Sequence, residues 1–592
     1  MLSGLRQTWE LENIFAGGSE SPELASFLDA LEKDVAAFKA QVASSQLPAT
    51  AAEAQAWVSM IDTVQELSRR FRQAGAFVSC LNSQNVKDQK AKLLSGRLGQ
   101  LGAAFGSATT LFDAKLLQIA EPVWEAMLQS EQLQPLAFNL AERRRRAEDK
   151  MNPERESLAG DLSVDGYHAW GHLYNTIVGR ITVPFQGKQL SVGQAFNQMS
   201  SGDRSVRHQV FTEWEKAWGE QSELIAAALN HLAGYRINLY KHRGWESILG
   251  EPLENNRMSQ ETLDVMWSTI DKNKGPVVKY MQRKAKLLGL DGLAWYDVDA
   301  PLSASSTKVS YDEAANFILE HFGRFSPRMA EFAKMAFEQS WIEAEDRPGK
   351  RPGGFCTSFP LARESRIFMT FGGTMGNVST LAHELGHAYH QSVMNDLPPM
   401  AQGYAMNVAE TASTFAEMIV ADAALKNAPT EAERLALLAD KIERAVAFFM
   451  NIHARFIFET GFYEMRKKGL VSAEKLGELM VDAQKKAFCD SLTEYHPLFW
   501  AAKLHFYSTG QPFYNFPYTF GYLFSSGVYA KALEEGPAFE QKYVDLLRDT
   551  GRLRVEDLAA RHLGVDLRKP EFWQSAIDLV LADIEEFLKA TE

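Results

Sequence analysis

Apolar residues recur at spacings of three and four along most of this 592-residue chain, a period that an α-helix turns into one continuous buried face. In the first clear case Leu24, Phe27, Leu28, Leu31, Val35, Phe38 and Val42 form the stripe. Ser21 and Pro22 stand where an N-cap and a first helical residue belong. Similar stretches run to about Arg146. A break is expected at MNPERESLAGDLSVDG, residues 151–166, followed by RITVPFQGKQL, which alternates around Gln186-Gly187 as a short hairpin does. Helical periodicity returns from about Ser205, lapses in the Gly/Pro-rich stretch 345–355, and continues to the end. RIFMTF, residues 366–371, is short, aromatic and β-branched enough for a strand. GGTMGN then punctuates the chain before a helix beginning near Ser379. The spacing thus predicts a mainly α protein with a small β element, organised as an N-terminal helical region with a hairpin (1–204) and a second region (205–592).

The helix near Ser379 carries His383-Glu384-Leu385-Gly386-His387, with Leu381, Leu385 and Ala388 as its apolar back. Four residues advance a helix by about 400°, so the two imidazoles stand on one face, close enough to chelate one ion. Glu384 adjoins His383 and cannot share its direction; it leans beside the site, where a carboxylate meets an activated water rather than the metal. A catalytic zinc usually takes three protein ligands. The extended motif HExxHxxGxxH would need glycine where this chain has His390 and histidine where it has Val393, which excludes that class. His390 shares the face of His383 but lies about 10 Å along the axis, too far for one ion to hold both. It is expected to orient a ligand or to face substrate. A carboxylate from a second helix remains. In NVAETASTFAEMIVADAAL, Val408, Ala412, Phe415 and Ile419 form an apolar stripe, and Glu410 and Glu417 share the other side, facing solvent or the metal. Asn407, Ser413 and Thr414 supply short polar groups suited to orienting a ligand at Glu410.

At these residues the sequence resembles a known family. MTFGGTMGNVSTLAHELGHAYH followed by AETASTFAE is similar to the zinc metallopeptidases typified by thimet oligopeptidase and oligoendopeptidase F, and specifically to the oligoendopeptidase F branch. RPGGFCTSFP upstream and PFYNFPYTFGYLF near the C-terminus carry the resemblance from near Ser205 to the end, and WELENIF extends it more weakly to the N-terminus. It implies a clam-like, two-lobed helical molecule around a deep central channel, with one zinc at its floor. Glu410 corresponds to the third zinc ligand, joining His383 and His387. Glu384 becomes the general base, and Glu417 a residue that orients an imidazole. His505 and Tyr518 match a histidine and a tyrosine that touch the oxyanion and the substrate backbone. Tyr514 and Tyr522 lie in the same segment as further candidates. Gly372 and Gly373 are expected to let an extended peptide approach the strand before them. The implied activity is cleavage of internal bonds in short unstructured oligopeptides. The alternative is a dipeptidyl carboxypeptidase on the same scaffold, defined by a blocked channel end. A metal-binding peptide carrier without activity is disfavoured, because Glu384 serves only chemistry.

Charge narrows the partners. A net charge of −13 argues against a phosphate backbone, which demands clustered cations. Arg143 to Arg146 form the one basic run, and with Glu142 and Glu148 beside them they read as a solvated helix face. MLSGLRQTWELENIF lacks the apolar core of a signal peptide, and no apolar run approaches the roughly 20 residues that span a bilayer. Cys80, Cys356 and Cys489 are few and far apart. The expectation is a cytoplasmic enzyme acting on peptides, with no membrane or nucleic-acid partner.

Overall fold

The computed structural model describes residues 1–50, 52–302 and 308–592. Helices dominate it, and the two small sheets among the described residues have two and three strands. The first predicted helix runs Pro22–Ser44; Ser21 Oγ accepts from the Leu24 N–H at 3.2 Å, and Leu24, Leu28, Leu31, Val35, Phe38 and Val42 are buried. It packs with helices Gln55–Gln84 and Gln89–Gln118. Their apolar faces make one core around Phe38, Trp57 and Phe112 and another around Trp9, Phe15 and Phe77. Phe359 and Phe368 of the larger sheet join the second core. The main core collects buried residues from Tyr174 to Phe587.

Three expectations about the helices need correcting. The expected break at 151–166 holds a helix, Pro153–Ser163, whose N-cap Asn152 accepts from the Arg155 N–H at 3.0 Å; the stretch hides because the helix buries no apolar face. It continues through a π-helical turn, Val164–His168, into helix Ala169–Val178. The helix bearing HELGH starts at Met375, a turn earlier than expected, because Thr374 and Asn377 cap it reciprocally. The basic run in helix Ala137–Glu148 is only in part a solvated face: Arg145 and Arg146 stay 45% and 38% exposed while pairing with Glu254, but Arg143 turns in to Asp113 and Arg144 to Glu121.

The hairpin forms as expected. Strands β1 (Thr182–Phe185) and β2 (Lys188–Ser191) pair antiparallel, and Gln186 and Gly187 both take positive φ, the conformation of a tight I′ turn. The second sheet comprises β3 (Ile342–Glu343), β4 (Phe355–Phe359) and β5 (Glu364–Phe368), in the order β3-β5-β4. The RIFMTF run is therefore the central strand. Its N–H groups at Ile367, Met369 and Phe371 donate to Trp341, Glu343 and Ala344, and β4 pairs antiparallel on its other side. The N-terminal segment occupies the β3 side, where the Ala344 N–H donates to the Gln7 carbonyl, so the free edge is β4 and the expected docking at 366–371 is overturned.

Helix Met375–Ser392 lies under this sheet and crosses helix Met406–Lys426. The crossing is made at a glycine. A Cβ on Gly386 would stand 2.5 Å from the Ala412 carbonyl oxygen and 2.6 Å from Ser413 Cα, so backbone touches backbone there. Helix Phe516–Glu535 packs on the same second helix through Gly521, where a Cβ would meet Asn407 O at 3.1 Å and Glu410 Cβ at 3.2 Å.

Helix Glu431–Val446 continues through a second π-helical turn, Ala447–Asn451, into helix Ile452–Arg466. Thr519 Oγ1 donates to the Phe448 carbonyl at 3.0 Å, and the Phe448 ring stacks on Tyr522 at 4.5 Å. The N-terminal helices are bolted to the rest by Arg257. Its buried guanidinium donates to both Glu142 oxygens at 2.8 and 2.9 Å, and to the Gly403 and Thr550 carbonyls.

Two substitutions test this packing by calorimetry. Arg257→Ala leaves the buried Glu142 carboxylate with Arg146 alone, 3.2 Å away, and should cost about 3 kcal/mol, the lower end of the range for breaking a buried pair; an unchanged unfolding profile would refute its bracing role. Gly386→Ala should cost about 1–3 kcal/mol through forced helix separation, and wild-type stability would show that the crossing gives way freely.

Candidate metal centre

The crossing at Gly386 brings one turn of each helix into register. His383 and His387 project from the first helix, their rings 4.9 Å apart and nearly perpendicular, and Glu410 projects from the second. Glu410 Oε2 lies 3.2 Å from His383 Nε2 and 3.6 Å from His387 Nε2. One ligand atom from each of the three fits within a 4.8 Å span, and no other group of this kind occurs among the described residues. Two imidazoles and a carboxylate converging on one point, all half-buried, are the donor set that suits zinc.

Neighbours fix these donors. Glu417 Oε2 lies 3.2 Å from His383 Nδ1, and its other oxygen pairs with Arg444, a residue that no motif or spacing singles out. Ser413 Oγ donates to Glu410 Oε2 at 2.7 Å. Thr414 lines the adjoining cavity, whereas Asn407 turns away, its N–H donating to Asn256 and its side chain to Met258. Without a metal, burial works against a charged His383, but Glu410 and Glu417 prevail and push it up to about 10. Burial would raise the Glu410 carboxyl, yet the two histidines hold it down at about 2. His387 falls to about 4, burial being the main cause.

Glu384 sits beside this set, 6% exposed, and its Oε2 has no hydrogen-bond partner among the described residues. Burial pushes its carboxyl up to about 7; His383 opposes, while Glu410 and Glu417 reinforce. Gly354, just before β4, makes room for it: a Cβ there would lie 3.2 Å from Glu384 Oε1 and from Phe368 O. That glycine lies in RPGGF, but only the fold reveals what it faces.

The C-terminal aromatic segment also arrives here. Tyr518 lines the same cavity as His383 and Glu410, stacked on Tyr514 at 5.2 Å, with the His505 ring 4.9 Å from Tyr514 and 6.0 Å from Tyr518. Burial, the Tyr514 hydroxyl and the Glu410 charge all raise the Tyr518 pKa, so its hydroxyl keeps its proton. Burial, with Arg455 and Lys503 nearby, lowers His505 to about 3, leaving a neutral ring. Tyr522 lines the cavity wall.

His390 is placed otherwise than expected. It is wholly buried, stacked on Tyr404 at 4.3 Å, with Nε2 2.8 Å from Thr550 Oγ1 and 3.2 Å from the Leu547 carbonyl, and it faces neither the donor set nor the cavity. Gly372 and Gly373 are also taken up internally. Lys308 Nζ donates to the Gly372 carbonyl at 2.7 Å and the Val309 N–H to the Gly373 carbonyl at 2.9 Å, so the chain itself makes the close approach expected of a peptide.

Comparison with known proteins gives the family. Residues 197–579 match the model of peptidase family M3, and residues 115–182 match that of oligopeptidase F. Oligopeptidase PepF of Bacillus subtilis is 25% identical over 98% of this chain and 87% of its own length. An oligoendopeptidase F homolog of Lactococcus lactis is 24% identical over 91% of each chain. The crystal structure of oligoendopeptidase-F from Enterococcus faecium shares the fold with a TM-score of 0.71 at 17% identity, covering 96% of this chain and 99% of its own. The match to the family model spans most of the chain and includes the whole His383, His387 and Glu410 set: this protein belongs to peptidase family M3, in its oligopeptidase F branch.

Proposed function

We propose that the chain is a zinc-dependent endopeptidase that hydrolyses internal bonds of short, unstructured oligopeptides. The observation that carries the reading is the buried Glu384 carboxyl, whose Oε2 has no hydrogen-bond partner among the described residues, beside a three-donor set spanning 4.8 Å. His383, His387 and Glu410 hold one zinc per chain, and Glu417, braced by Arg444, fixes the ring of His383. Bound there, zinc supplies positive charge that polarises a water and the scissile carbonyl. Glu384 accepts the proton of the attacking water and returns it to the leaving amine. The Tyr518 hydroxyl and a neutral His505 N–H donate to the oxygen on which negative charge develops. A water-excluding channel admits a peptide that threads and rejects a folded protein. No helix among the described residues is long and apolar enough to cross a membrane, and the three cysteines are free, which suits a reducing, cytoplasmic setting.

Activity should vanish on chelation and return with zinc. Glu384→Gln should keep wild-type zinc content while losing peptide hydrolysis by about 10³-fold or more, because it serves the proton and not the ion. Glu410→Ala should lose the zinc itself. Wild-type zinc in that variant, or full turnover in metal-free protein, would overturn the reading.

The oxyanion role has a separate test. Tyr518→Phe removes only a hydroxyl and should lower kcat by about 10²- to 10³-fold with KM nearly unchanged. A well-folded variant with wild-type kcat would remove Tyr518 from the chemistry.

A further inference from the structure

A ring that donates to an oxyanion has to be aimed, yet the buried Nδ1 of His505 has no hydrogen-bond partner among the described residues. The ring packs on Tyr514, and its direction follows from where the backbone beneath it is held. That backbone is a 3₁₀ turn, Leu504–Tyr507, so His505 and Tyr507 move together. The Tyr507 ring lies flat on Tyr174, with centroids 3.7 Å apart and planes 4° from parallel. Its hydroxyl donates to the Trp500 carbonyl at 3.1 Å and the Tyr174 hydroxyl to the Ala501 carbonyl at 2.9 Å, which ties both rings to the short helix Phe499–Ala502 just before the turn.

Neighbours of Tyr174 complete the hold. A Cβ on Gly171 would lie 3.0 Å from the Tyr507 carbonyl oxygen and 3.5 Å from Thr509 Cγ2, so helix Ala169–Val178 meets the loop there without a side chain of its own between them. His168 Nδ1 lies 2.8 Å from Thr509 Oγ1. Tyr167 reaches the other end of the loop through Arg236, whose guanidinium donates to the Tyr167 and Tyr463 hydroxyls, and the Tyr463 ring stacks on Phe513 at 5.5 Å. Tyr167, Gly171 and Tyr174 are buried and recur at spacings of four and three, the period of one helix face. All of them stand in the N-terminal third of the chain, far in sequence from the residues of the metal centre.

We infer that Tyr167, His168, Gly171 and Tyr174 are positioning residues, which together clamp residues 503–515 and thereby fix the His505 ring against the oxyanion. The inference rests on the oxyanion reading of His505 above and deepens it. The four act through backbone placement. A shift at Tyr507 passes through the 3₁₀ turn to the imidazole, and a donor aimed at developing charge loses effect steeply when displaced. The contact at Gly171 is the sharpest constraint, because the Tyr507 carbonyl oxygen cannot step aside without moving its turn.

The test uses the zinc-loaded full chain, one short unstructured peptide, and two backgrounds, wild type and His505→Ala. In the wild type, Gly171→Ala should lower kcat about tenfold with KM and zinc content unchanged, since a displacement of about 1 Å costs about 10²-fold and this one is smaller. Alanine favours helix over glycine, so the helix is kept and the strain falls on the loop. His168→Ala and Thr509→Val should each lower kcat about threefold, the worth of one modest hydrogen bond. His168→Asn, whose amide stands where Nδ1 stood, should restore the rate. In the His505→Ala background, itself about 10²-fold slower, all of these losses should disappear, because the ring that they aim is gone. Equal losses in both backgrounds would show that the four residues do not act through His505 and would overturn the clamp, as would a wild-type kcat in Gly171→Ala. If Gly171→Ala does not fold, the His168 and Thr509 variants decide by the same comparison. A wild-type kcat in His505→Ala sinks the oxyanion reading of His505 and the clamp together, whereas a slow His505→Ala with additive losses sinks the clamp alone.

Discussion

Everything at the candidate centre hangs on how closely two helices approach. A metal ion accepts donors only within a narrow shell, about 2 Å from its centre, and the donors here come from helices whose backbones touch at Gly386 and Ala412. Any side chain at Gly386 would push Glu410 outward and open the set. The glycine inside HELGH therefore governs the third ligand, which lies 24 positions further on, more than it governs the two histidines beside it. Gly521 repeats the device where a third helix packs on the second, pressing the helix that bears Tyr518 against Glu410 itself. The metal donors and the cavity wall are thus set by backbone contact, the least compliant contact available to a protein.

Electrostatics explains why such a tight acidic cluster is tolerable. Glu410 and Glu417 both face His383, and without compensation two nearby carboxylates would share a proton. Arg444 takes up Glu417, and Ser413 donates to Glu410, so each acid has its own partner and both stay ionised. Glu384 is left out of this arrangement, and there burial, reinforced by Glu410 and Glu417, outweighs the opposing charge of His383. The crossing of two helices therefore sets a carboxylate suited to moving protons, on the first, beside another suited to holding an ion, on the second.

How much of this was legible depended on the range of the interactions. The helical stripes, the Ser21 cap and the Gln186-Gly187 turn are local, and local rules found them. The pairing of His383 with His387 is local too, since helix geometry alone imposes it. Glu410 is not: residue spacing left Glu410 and Glu417 equally open to metal or solvent, and only the resemblance chose between them. Arg444, Gly354 and the burial of His390 left no trace, because each is defined by what lies across a fold contact rather than along the chain. The capped helix at 153–163 was missed for the opposite reason: its local caps were plain, but it lacks the buried stripe that helix reading relies on. Strand RIFMTF was recognised, yet its central place in the sheet was invisible, since strand order is a property of the partners.

The π-helical turn at Ala447–Asn451 has a consequence for how this chain tolerates change. One residue more than an α-helical turn needs is accommodated there, and it sets the angular phase of everything that follows in the same rod. Removing a residue from the turn would restore ordinary α geometry and rotate helix Ile452–Arg466 by about 100° against its neighbours, carrying Phe448 off the wall it shares with Tyr522 and freeing the hydroxyl of Thr519. Point substitutions in this stretch are local events, but insertions and deletions are not. The turn behaves as a reading-frame mark written in three dimensions, and length variation among relatives should be displaced from it into the loops on either side of the rod.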